Sequence, residues 1–100
     1  MGAVRDNTAL SRFELETDGV TAFITYIRDG DVLTLVHEEV PKEASGKGIG
    51  SALAKDTLEL IRSRGEKVIP VCPFVAAYML RHKETRDLLG DPAYLERRGH

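Results

Sequence analysis

Three features of this chain have residue types and spacing suited to chemistry. The stretch Ser45-Gly46-Lys47-Gly48-Ile49-Gly50-Ser51 alternates glycine with other residues, after an apolar strand-like run and at the start of a periodic helix. Lacking Cβ atoms, the glycines let backbone approach a ligand closely and adopt turns barred to other residues. The first amides of the helix have no intrahelical partner, and the helix dipole places partial positive charge there. Together these make a site for a phosphate-sized anion. His37 stands near the end of one strand-like run and Cys72 ends another. A histidine neutral near pH 7 is a competent base, and beside a thiol it favours the thiolate. Glu39 alternates onto the same face as His37 and would serve as base or orienter.

Two familiar phosphate loops do not fit. The P-loop requires Gly-x-x-x-x-Gly-Lys-Ser/Thr, but Lys47 is followed by Gly48. The dinucleotide fingerprint Gly-x-Gly-x-x-Gly, started at Gly46 or at Gly48, needs its third glycine at Ser51 or Leu53.

The elements that must position these residues follow from periodicity. Residues 1–10 carry no clear period and read as a loose start. Residues 12–17 alternate polar and apolar, which predicts a half-buried strand. Asp18-Gly19 and Asp29-Gly30-Asp31 are turn signals around a β-branched, aromatic strand at 20–28. A third strand at 32–40 completes an antiparallel meander, with Leu33, Leu35, His37 and Glu39 on one face. Pro41 ends it. Residues 49–64 form an amphipathic helix with Gly65 as its stop. A fourth strand at 67–72 contains Pro70, which argues for a bulge or an unpaired edge. The strand–helix–strand crossover makes the third and fourth strands parallel, so His37 and Cys72 are expected at one mouth. Pro73 opens a second helix over 74–81, and residues 84–100 suggest short helical turns broken by Gly90-Asp91-Pro92.

Composition bounds the function. One hundred residues, 42% hydrophobic and 30% charged, suit a single domain spanning 1–100 with its core at about 12–89. The net charge of -2 gives no basic excess for nucleic acid or membrane. One cysteine precludes an internal disulfide and a cysteine-cluster metal site. The absence of an apolar leader or a span-length apolar run leads to the expectation of a cytoplasmic protein.

The hexapeptide Ser45-Gly46-Lys47-Gly48-Ile49-Gly50 resembles the Arg/Gln-x-x-Gly-x-Gly/Ala pyrophosphate loop of the GNAT acetyltransferases, with Ser45 in place of the usual Arg or Gln. The order of elements, a mixed α/β (α+β) sheet with an antiparallel meander, a strand–helix–strand crossover and a C-terminal helix, is similar to the GNAT core. The runs Leu35-Val36-His37-Glu38-Glu39-Val40-Pro41 and Val68-Ile69-Pro70-Val71-Cys72-Pro73-Phe74 resemble those of a small, trimmed GNAT subfamily without the N-terminal helices.

The resemblance implies acetyl-CoA as co-substrate and no metal. Its pyrophosphate would lie on the amides of Gly46, Lys47, Gly48, Ile49 and Gly50, flanked by Ser45 and Ser51. Its pantetheine arm would enter a gap between the third and fourth strands and pair with backbone near Glu39 and Val40. Tyr78 occupies the helix where the GNAT pattern often carries an acid tyrosine, and Arg81 and His82 follow it. The expected activity is acetyl transfer to an amine, either small-molecule or peptide, by a monomer or weak homodimer, with a Cys72–His37 pair carrying the acetyl group or activating the acceptor. The alternative is a CoA-binding sensor or adaptor without turnover. A domain whose loop binds nothing is a third reading, supported by Ser45.

Overall fold

Alternating apolar residues build a five-stranded sheet whose spatial order equals its chain order, β1-β2-β3-β4-β5. The computed structural model describes residues 3–91 and 94. The strands are β1 (Arg5–Asn7), β2 (Arg12–Thr17), β3 (Val20–Asp29), β4 (Val32–Glu39) and β5 (Lys67–Pro70). The first four pair antiparallel. β5 joins β4 in parallel, from Val32 opposite Lys67 to Leu35 opposite Pro70. The connection between them is helix α1 (Ile49–Ser63), ended by Gly65 at φ +69°. Helix α2 (Pro73–Arg81) begins with a proline, whose missing amide costs nothing there. A 3-10 turn (Lys83–Leu88) closes against α2, while the proposed turns beyond Asp91, Tyr94 apart, lie outside the described residues.

One face of the sheet carries the core. Phe13, Leu15, Ala22, Ile24, Leu33 and Leu35 are fully buried there, under Leu53, Ala54 and Ile61 of α1 and Val75 and Met79 of α2. The other face is polar. Its most buried member, Glu14, is 3% exposed and is gripped by Arg12, Arg5 and Asn7. The Arg12 guanidinium, ahead of the Arg5 guanidinium and the Asn7 side-chain amide, holds the Glu14 carboxyl down to about 2 despite its burial.

The structure corrects the sequence reading in three places. The start is not uniformly loose, because Arg5–Asn7 pairs with β2 through Asp6 opposite Phe13. Too short to show a period, this strand is held by Glu14 and by the Tyr26 hydroxyl, which donates to Asp6 at 2.7 Å. β5 stops at Pro70 rather than Cys72, because proline has no amide to continue the ladder. The third correction changes the site. The β3–β4 register runs Ile24 to Glu38 and Thr25 to His37, then jumps to Tyr26 opposite Leu35. Val36 is therefore an extra residue, a β-bulge, and every residue after it changes face. Leu33 and Leu35 point into the core, but His37 and Glu39 point away from it. Glu38, opposite the buried Ile24, points in.

Candidate functional site

Past Leu35 the two parallel strands part company. The amide of Cys72 donates to the Leu35 carbonyl at 2.8 Å, and one residue later the chain turns into α2. β4 continues through Glu39, paired to β3 on one side only. Its other edge is therefore unpaired over several residues, a template for an added extended segment.

At the end of that edge lies a cleft of about 510 Å³, counted to its open mouth. Ser45, Gly46 and Gly48 line it from the loop, and Ile49, Gly50 and Ser51 from the first turn of α1. Val40, Ala44 and Phe74 form the rest of its wall. Gly46 and Gly48 adopt φ of +80° and +73°, the left-handed region that favours glycine. A Cβ at either position would meet nothing within 4 Å, so it is backbone shape rather than crowding that requires glycine there. Gly48 is the N-cap of α1 and supplies no side-chain cap. Among the described residues, Ala52 is the first in α1 whose amide finds a carbonyl, that of Gly48 at 3.1 Å. The preceding amides are left for a ligand, and the end of a long helix adds positive potential.

The predicted loop residues thus converge with Val40, apart from the Lys47 side chain. Its ammonium reaches back to Asp18 at 3.2 Å, across the β2–β3 turn. The Ser45 hydroxyl donates to the Lys42 carbonyl at 2.9 Å, so it closes the 3-10 turn Lys42–Ala44.

The predicted catalytic residues do not converge. His37 is 60% exposed on the polar sheet face, with Nε2 3.7 Å from Glu39. Cys72 is 2% exposed within the core cluster. The bulge at Val36 separates them onto opposite faces, and no hydrogen bond joins them among the described residues. Tyr78 is buried and stacks on His82 with ring centroids 3.9 Å apart. It lines a different cleft, with Lys55, Glu59, Arg62 and Glu84. Burial, then the carboxylates of Glu84 and Glu59, raise its hydroxyl pKa.

The residue that sequence reasoning missed is Glu38. Its carboxylate lies against Gly50 and Phe74 of the cleft wall: a Cβ on Gly50 would fall 2.9 Å from Glu38 Oε2 and 3.0 Å from Phe74 Cζ. Oε1 is buried without a hydrogen-bond partner. Desolvation alone raises the carboxyl pKa to about 8, which favours its protonated form at neutral pH. Strict alternation hid it, and a bulge leaves no residue-type signature in Leu35-Val36-His37.

A glycine loop leading into a helix start, a cleft over it and an unpaired strand edge occur here together. A model described as GCN5-related N-acetyl-transferase matches residues 12–88. The chain belongs to the GCN5-related N-acetyltransferase family. A search of curated proteins returns no match. The match begins at β2, leaving β1 outside it, and ends with the turn after α2. It makes this an acetyltransferase-type domain. Among the described residues there is no group of His, Cys, Asp and Glu that could hold a metal ion. No helix among them is long and apolar enough to cross a membrane.

Proposed function

We propose that the protein transfers an acetyl group from acetyl-CoA directly to a small-molecule or peptide amine. The observation that carries this reading is the continuity between the glycine-loop cleft and the unpaired edge of β4. The loop amides suit a pyrophosphate. The open edge suits the amide-bearing pantetheine arm, which would add to the sheet as an extended segment does. The thioester would then lie towards the parting of the strands at Leu35 and Cys72.

In direct transfer the neutral amine attacks the thioester carbonyl. A C–N bond forms, the C–S bond breaks, and the thiolate leaves with its electron pair and takes up the proton shed by nitrogen. The protein's contribution is to hold the donor in line for this attack. A relay through Cys72 is not favoured, because its thiol is enclosed in the core and His37 stands on the other face.

The test is thiol release from acetyl-CoA in the presence of a panel of small amines, polyamines and peptides. Acceptor-dependent release with matching N-acetyl product supports transfer. Donor binding without release for any acceptor would move the protein to the sensor or adaptor reading.

A further inference from the structure

We propose that Glu38 engages the acetyl donor as a neutral acid, donating a hydrogen bond into the cleft, so that donor binding is coupled to uptake of a proton. The inference rests on the donor-site reading above and adds to it a positioning residue and a pH dependence.

Geometry carries the argument. The bulge at Val36 turns Glu38 onto the helix-bearing face, opposite Ile24. There its carboxyl packs against Gly50, in the first turn of α1, and Phe74, both part of the cleft wall. Oε1 is enclosed with no partner, so nothing on that side stabilises the ionised form. Oε2, the oxygen beside Gly50, would donate its O–H to a ligand bearing acceptor oxygens, such as the phosphates or amide carbonyls of a CoA thioester. An ionised carboxylate would face the same acceptors with no proton to donate, beside the bound anion.

The surroundings supply no competing charge. On β3 the neighbour is Ile24, and on β4 itself His37 and Glu39 lie on the opposite face. From α1 the nearby polar residues are Ser51, which is exposed, and Lys47 before it, which pairs with Asp18. From α2 come the ring of Phe74 and the buried thiol of Cys72 at its cap. Lys42 and Glu43, on the 3-10 turn, are exposed. None of these forms a hydrogen bond or ion pair with Glu38 among the described residues. Burial alone holds the proton on, to about pH 8.

The experiment is calorimetric titration of the whole protein with acetyl-CoA, which has no free thiol to ionise, from pH 7 to pH 9. Each pH is run in two buffers of different ionisation enthalpy. The expected result is uptake of about half a proton per donor near pH 8 and dissociation constants about tenfold weaker at pH 9 than at pH 7. Glu38→Gln, which donates from the same position without titrating, should take up no proton and bind with a flat pH profile. Wild-type binding with no uptake and a flat profile would overturn the inference and leave the donor site standing, as would a Glu38→Gln variant that keeps the slope. Absence of binding at every pH would remove the donor site and this inference with it.

Discussion

Gly50→Ala separates what the first turn of α1 does for the fold from what it does for the cleft. Gly50 has ordinary helical backbone, so alanine alone would favour the helix by about 1 kcal/mol. Against this, the new methyl would sit 2.9 Å from Glu38 Oε2 and 3.0 Å from Phe74 Cζ. Carbon contacts are comfortable at about 3.5–4.0 Å, so both neighbours must retreat by roughly 0.5–1 Å. Both are tips of side chains: Phe74 is 39% exposed, and Glu38 Oε1 has no hydrogen bond to lose. The overpacking penalty should therefore fall at the low end of its range, about 1 kcal/mol. Net stability in urea unfolding should stay within about 1 kcal/mol of wild type. The displaced side chains, however, flank Gly50 in the wall of the proposed donor cleft, and acetyl-CoA affinity should fall by roughly tenfold, about 1.4 kcal/mol. Wild-type affinity in the variant would refute the placement of Glu38 and Phe74 at the donor site. A loss of more than about 3 kcal/mol of stability would show that these neighbours cannot yield.

Other consequences can be checked independently. Gly48→Asp combines a strained backbone at φ +73° with a negative charge among the anion-binding amides; acetyl-CoA affinity measured by calorimetry should drop at least about a hundredfold, while backbone strain alone costs about 1–2 kcal/mol of stability. Glu38 also gives the fold an unusual pH dependence. Its carboxyl pKa rises from 4.5 unfolded to about 8 folded, so the native state keeps a proton that the unfolded chain releases. Stability should therefore decline as pH rises from about 4.5 to about 8 and level off above. After allowance for its partial exposure the total is roughly 2 kcal/mol, and Glu38→Gln should abolish that slope in denaturant titrations. Intact-mass analysis of wild-type protein after incubation with acetyl-CoA should show no acetyl adduct on Cys72, because the thiol is 2% exposed in the core.

The sequence reading succeeded where a residue's meaning is local. The turns at Asp18-Gly19 and Asp29-Gly30, the helix stop at Gly65 and the proline start of α2 appear at their expected positions. The loop from Ser45 to Ser51 lies where its glycine spacing placed it, at the mouth of α1. It failed where a side chain's direction depends on a register that only pairing can set. One extra residue at Val36 reverses His37, Glu38 and Glu39, and thereby dissolves the expected Cys72–His37 pair. Two adjacent glutamates of identical type end in opposite environments, Glu39 exposed beside His37 and Glu38 turned inward. Nor did the alternation of residues 12–17 reveal that Glu14, on the polar face, is buried under arginines. Tyr78 stands on the helix after β5, but the cleft it lines, beside Glu59 and Glu84, is not the glycine-loop cleft.

The most direct test of the account is a two-dimensional amide NMR titration with acetyl-CoA. The predicted result is saturable change concentrated on the amides of Gly46, Lys47, Gly48, Ile49, Gly50 and Ser51 and along the free edge of β4 to Val40. No change, or change centred on Tyr78, Glu84 and Thr85 around the other cleft, would contradict the assignment of the glycine loop as the donor site.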